Sequence, residues 1–534
     1  MVPIDDDAAA ISDTLGIRRR QLLQLIAAGT TLSLLPGMFA RRASAGEAAV
    51  KGGILRVSAP FNPSSLDPIT SGAGSDHMIL YSIYDTLVDF EPATLQPVPG
   101  LSTAWEFETP TRLVMTLREG VTFHDGTEFN ADAVKANLDR ALTHPRSTAK
   151  GDLASVDSVD VVGPYQVAIN TKHPDTALPL ILADRSGMMA SPTAFDEPDR
   201  NFDRTPVGTG PFSFTQWNDG DRIELARYDD YWDEEIPHLD GIIFRVITDL
   251  NTGLRSVIAG EADFVYRLNP QQKLVADRAG EEVVVRSSPT VANYHIVFNY
   301  GKAPLNDVRV RQAINYAVDR KAFNQAAMLG LGTPAQTLLP PDYWAHDESL
   351  NEFYPFDQDK ARALLAEAGY SDGLELQYYS NADQSSQQRA EIIMEQLRQV
   401  GIRCVLTTGS NADMFQRFMV RGEGDAIMVN WTGRPDPAQG FLFVYGEQGA
   451  NNPGKVPPPQ DLAEAIAAAQ EGVTQEERQP AFARAERAAL EHALSCEVAF
   501  VPGIEVHRAN VGGYEPNLLG KPKFNRLFLR PQEG

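Results

Sequence analysis

Between Val429 and Pro437 the chain reads VNWTGRPDP, which puts an aromatic face, a hydroxyl, a guanidinium and a carboxylate within six positions: Trp431, Thr432, Arg434 and Asp436. Pro435 and Pro437 restrict this loop to few conformations and Gly433 permits a tight turn, so these groups are presented together. The chemistry on offer is recognition. Trp431 can cover an apolar or cationic group, and the planar fork of Arg434 matches a carboxylate or phosphate. Asp436 can receive an ammonium group, or it can pair with Arg434 and only fix the loop; both readings stand at this point. Residue types suited to bond-breaking are not arranged in any familiar spacing. His124-Asp125-Gly126 reads as a tight turn, the glycines of GTGPF at 208–212 lack phosphate-loop spacing, and the nine histidines contain no HExxH pair. The sequence therefore suggests no catalytic residue, no metal site and no cofactor.

Such a loop needs a frame, and the surrounding pattern is α/β. Tyr294 to Phe298 reads as a short apolar strand, followed by a polar turn with Asn299, Gly301 and Pro304. A helix follows, capped by Asn306 or Asp307 and carrying Val310, Ala313, Ile314 and Ala317 on one face. Leu113, Met115 and Leu117 alternate as one face of a strand; Asn130 caps a helix with Val134, Leu138 and Ala141. Asp357 caps another, which Gly369 ends, and Ala390, Ile393, Met394 and Leu397 form a third before the strand of Ile402, Cys404 and Leu406. The alanine-rich stretch from Leu462 to Leu494 reads as two helices broken near Gly472-Val473-Thr474. Cys404 and Cys496 are the only cysteines; spacing alone leaves open a disulfide or two buried thiols. A net charge of −24 over 534 residues argues against nucleic acid or an anionic membrane as partner.

The wording of several segments is more specific than their periodicity. The motif PLNDVRVRQAINYAVDR after Phe298-Asn299, the SLDP and IYDTLVDFEP near the start, LREGVTFHDGTEFNADAVKANLDR, PVGTGPFSFTQWNDGDRIELARYDDYW and VAFVPGIEV together resemble the family 5 extracellular solute-binding proteins, in the family's order along most of the chain. The resemblance implies an α/β fold of two lobes with mixed sheets, hinge crossings and an extra subdomain in the first lobe. It implies lobe I over residues 46–288, lobe II over 289–500 and a return to lobe I over 501–534. It also implies capture of a peptide or peptide-like solute by hinged closure and delivery to an ABC permease and ATPase complex in the inner membrane, by a monomer without enzymatic activity. In the peptide binders of this family an aspartate closely following the loop tryptophan holds the ligand's ammonium; the corresponding position here is Arg434, so the charge is reversed and an anionic ligand group is suggested. The glycine-rich loop from Ser71 to Asp76 is either part of the cleft wall or a connector. A hydrolase on the same scaffold, or a sensor subunit, would share these features.

The first 45 residues read as an export signal. Arg18, Arg19 and Arg20 precede an apolar run from Leu22 to Phe39, and Ala43-Ser44-Ala45 offers a cleavage site. Arg19-Arg20-Gln21-Leu22-Leu23 resembles the twin-arginine type. The segment carries five arginines and four aspartates, so the remainder is one charge more acidic than the whole. A soluble periplasmic protein is expected.

Overall fold

The computed structural model describes residues 49–531 apart from 72, 73 and 342; the expected export signal lies outside the described residues. Two mixed sheets organise the chain. The first has seven strands, in the order Val283–Ser288, Gly503–Arg508, Phe264–Val265, Ile54–Ala59, Gly241–Val246, Arg222–Arg227 and Phe212–Asn218. Ile54–Ala59 lies at its centre, parallel to both neighbours, and its Leu55, Val57 and Ala59 are wholly buried. The second sheet has six strands, in the order Thr333–Pro334, Ser495–Phe500, Asn293–Phe298, Ala426–Trp431, Leu374–Asn381 and Ile402–Gly409. A separate four-stranded antiparallel sheet, built from Ser102–Thr109, Arg112–Leu117, Gln166–Thr171 and Val156–Gly163, packs beside the helix Ala131–Thr143. Leu113, Met115 and Leu117 face inward there, as their alternation predicts.

The chain passes between the two large sheets twice, through residues 289–292 and again through 501 and 502. These crossings bind each other. The Val501 amide donates to the Ala292 carbonyl at 2.8 Å, and the Thr290 hydroxyl donates to the Val501 carbonyl at 2.6 Å while accepting from the Ala292 amide.

Helix boundaries follow local chemistry. Asn130, Asp307, Asp357 and Thr474 each accept a hydrogen bond from a free amide in the first turn of the helix they precede. Thr474 forms a reciprocal capping box with Glu477, which separates Gln460–Glu471 from Gln475–Glu491. The two buried arginines of the central motif are structural. Arg311 donates to the carbonyls of Leu305, His492 and Ala493, and Arg320 to those of Ala335 and Glu497, tying the helices after the first crossing to the strand before the second. Such carbonyls would otherwise be buried unsatisfied.

One large apolar core joins the first sheet and the four-stranded sheet to Phe441 and Phe482 of the later helices; a second fills the space around Ile296, Ile314, Phe323, Tyr378 and Ile393. Both cysteines are free thiols. Three strands separate Ser495–Phe500 from Ile402–Gly409 in the sheet, so Cys496 and Cys404 lie on the order of 19 Å apart, far beyond disulfide reach.

Candidate functional site

A cavity of about 500 Å³ opens where the two sheets meet at the crossings. Thr290, Ala292, Val501 and Pro502 form its floor, Phe61, Arg267 and Glu505 come from the first sheet's side, and Tyr294, Arg389 and Thr432 from the second. This is the usual volume of a small-molecule site.

Two guanidiniums stand out by what they lack. Arg267 follows the edge of the strand Phe264–Val265 in a left-handed backbone conformation, φ +59°, which disfavours a side chain bearing a Cβ. Its guanidinium sits 5.1 Å from the Phe61 ring centroid. Burial lowers its pKa, and no carboxylate among the described residues pairs with it. Arg389, on the helix Gln384–Arg398, lies 4.4 Å from the Tyr294 ring centroid and, among the described residues, donates only to the Ser386 hydroxyl, at 2.8 Å. Guanidiniums held over aromatic rings without a carboxylate make an anion site, one from each wall.

Glu505 is the counterweight. It projects from the strand Gly503–Arg508, is 2 % exposed, and its Oε2 has no hydrogen-bond partner among the described residues. Burial raises its pKa to about 7, and a hydrogen bond from Tyr514 offsets this only in part.

At another edge of the cavity, buried Lys521 donates to Asp184 Oδ2 at 2.9 Å, and the Tyr81 hydroxyl donates to Asp184 Oδ1 at 2.8 Å. Burial lowers Lys521 to about 8 against the pull of Asp184. Burial alone would raise the Asp184 carboxyl, yet the basic groups around it, His77 first and then Lys521 and Arg434, hold it well below the usual carboxylate range. Burial pushes His77, 3.2 Å from Asp184, well below the ordinary imidazole value against the pull of that carboxylate.

The loop singled out from sequence divides. Thr432 lines the cavity, close to Gly74 of the glycine-rich loop, where a Cβ would stand 3.3 Å from its hydroxyl. Trp431 is 6 % exposed, stacked on Phe443 and fitted against Gly440, where a Cβ would approach within 2.7 Å of its ring. Arg434 does not pair with Asp436: it donates to the Gly433 carbonyl at 3.3 Å, lies over the Phe443 ring and adds positive charge near Asp184 and Lys521. Asp436 is wholly buried, capping the helix Pro437–Tyr445 and accepting two bonds of 2.8 Å from Arg478. The reason lies in the tertiary fold, which brings Arg478 from 42 positions away into bidentate geometry that Arg434, two positions off, does not reach.

Sequence reading missed Arg267, Arg389 and Glu505. Glu505 carried a signal, an acid inside the apolar run VAFVPGIEV, and so did Arg267, a cation at the end of the apolar stretch FVYRL; Arg389 carried none, being surrounded by ordinary polar residues.

The model of the bacterial extracellular solute-binding proteins, family 5, middle region, matches residues 96–453. Over 340 residues, 62% of this chain, the sequence is 37% identical to the glutathione-binding protein of Salmonella typhi, of which the match spans 66%, just under two thirds. A glutathione-binding protein of Escherichia coli K12 is 35% identical over 337 residues, 61% of this chain and 65% of its own. Among solved structures, the periplasmic binding protein DppA of Helicobacter pylori in complex with the peptide STSA superposes with a TM-score of 0.80 at 22% identity, covering 90% of this chain and 98% of that one. AgaA from A. tumefaciens R10 in complex with agropinic acid gives 0.79 at 25% identity, covering 90% and 99%.

Proposed function

The chain belongs to the family 5 bacterial extracellular solute-binding proteins, and from that premise we propose that it is the ligand-capturing component of an ABC importer for a small, anionic, peptide-like solute. The observation that carries the ligand class is the pair Arg267 and Arg389, two guanidiniums without carboxylate partners among the described residues, on opposite walls of one cavity. A solute with two carboxylates would bridge the walls. Such a bridge favours the conformation in which both arginines are within reach, and binding energy then shifts the population toward it. The paired crossings at 289–292 and 501–502 are suited to serve as the hinge, because they are the two places where the chain passes between the large sheets and they connect to each other by hydrogen bonds. Lobe I then comprises 46–288 and 501–534, and lobe II 289–500.

Glutathione carries two carboxylates and one ammonium, and the similarity to glutathione-binding proteins supports it or a related acidic peptide as ligand. Thr432 contributes a hydroxyl to the wall, and Arg434 strengthens the positive field at the Lys521 edge, with Trp431 and Asp436 fixing the loop behind them. The protein works as a monomer, exported to the periplasm with removal of residues 1–45, and hands its ligand unchanged to a membrane permease served by ATPase subunits. A thermal-shift panel of glutathione, neutral dipeptides, acidic dipeptides and opine-type conjugates tests the reading. Acidic members are expected to stabilise the protein by about 2.7 kcal/mol at a hundredfold their Kd. Stabilisation by neutral peptides alone would overturn the anionic class.

A further inference from the structure

A carboxyl group buried without a cation is costly, and proteins rarely keep one unless something else uses it. Glu505 is such a group: its Oε2 is buried and unpartnered, and the side chain lines the cavity. Arg286, opposite it in the strand register, forms no ion pair with it among the described residues, and neither does Arg267 of the same cavity. Beside it, the Ser288 hydroxyl is also buried and unpartnered. Gly503, opposite Ser288 in the register, keeps this corner uncrowded: a Cβ there would stand 3.0 Å from Glu505 Oε1 and 3.2 Å from Ser288 Oγ. The strand leaves the second crossing directly at this point.

We propose that Glu505, assisted by the Ser288 hydroxyl, receives the free ammonium group of the ligand. This deepens the proposed function and rests on it. The loop aspartate, Asp436, is engaged by Arg478, so a second acid must take an ammonium if the ligand has one. Glu505 sits on the first sheet, close to the hinge, and accepts charge-assisted hydrogen bonds from the ammonium. The ligand is thereby oriented, with its amino end at the Gly503 corner and its carboxylates toward Arg267 and Arg389. The recognised class is an acidic peptide or conjugate with a free amine, not an N-blocked one.

The test is calorimetric binding of reduced glutathione and of N-acetylglutathione to the purified protein, to Glu505→Gln and to Ser288→Ala. Wild-type protein is expected to bind the free amine at least about 30-fold more tightly than the acetylated form, the scale for removing one partner of a buried charged pair. In Glu505→Gln that preference collapses, because affinity for glutathione falls while affinity for the acetylated form stays within about threefold; Ser288→Ala narrows it in the same sense. The thermal midpoint of unliganded Glu505→Gln, expected at or above that of wild type, separates loss of a contact from loss of the fold. Equal affinity of wild-type protein for both ligands, or an undiminished preference in Glu505→Gln, overturns the ammonium site while leaving the anionic reading intact. If neither compound binds, and acidic dipeptides do not either, the reading beneath it falls and the site with it.

Discussion

Glu505 ties the stability of the protein to pH in an unusual direction. Its buried carboxyl titrates near 7, against an ordinary value of 4.5, because burial opposes its charge and only the Tyr514 hydrogen bond favours it. Between those values the folded protein holds a proton that the unfolded chain has released. This group therefore lowers stability as pH rises from 4.5 to 7, by about 3 kcal/mol in all. Above 7 its contribution no longer changes. Denaturant unfolding of wild type and Glu505→Gln across this range should show a difference that grows in favour of the variant as pH rises; parallel curves would mean that the carboxyl is solvated or paired. Legibility at this scale was uneven. Thr432 reaches the cavity as a member of the loop read from sequence, whereas Trp431 and Asp436 lie behind it, because Gly440 and Arg478, both remote from the loop's own chemistry, close around them. Arg267 owes its position to one left-handed residue at the end of a two-residue strand, a feature without periodicity to reveal it.

Between residues and fold stand the helices, and their ends were the most readable part of the sequence. Asn130 and Asp357 cap the helices expected of them, and the break near Gly472-Val473-Thr474 is a capping box. Capping depends on one side chain and three following amides, so it is encoded locally. What each helix packs against is not. Asp436 illustrates the difference: it caps Pro437–Tyr445 and also anchors Gln475–Glu491 through Arg478, both sites nearly inaccessible to water. Replacing Asp436 with alanine should cost roughly 3–5 kcal/mol of unfolding free energy, since it strands a buried guanidinium as well as removing a cap. Urea titration would show this; a loss under about 1 kcal/mol would mean that Arg478 finds another partner. The short strand Thr333–Pro334 and the buried roles of Arg311 and Arg320 were not legible either, because each depends on the return strand some 160 or more residues later.

At the scale of the molecule, the two-sheet α/β architecture followed from long, ordered segments that resemble one family, and the match over residues 96–453 together with the structural superposition bears it out. The site between the sheets could not follow in the same way, since its walls are assembled from residues 60 to 521 and no local window contains both Arg267 and Arg389. Net charge adds a constraint. A chain this acidic repels an anion at long range, so capture of one depends on the few cations concentrated at the cleft, where low dielectric strengthens them. The most direct test is therefore calorimetric titration of glutathione into wild-type protein, Arg267→Ala and Arg389→Ala. One ligand per chain is expected, with each variant weakened by at least about 30-fold, because each leaves a ligand carboxylate desolvated and unpaired. Wild-type affinity in both variants would contradict the central claim that these two guanidiniums, one from each wall, hold the solute.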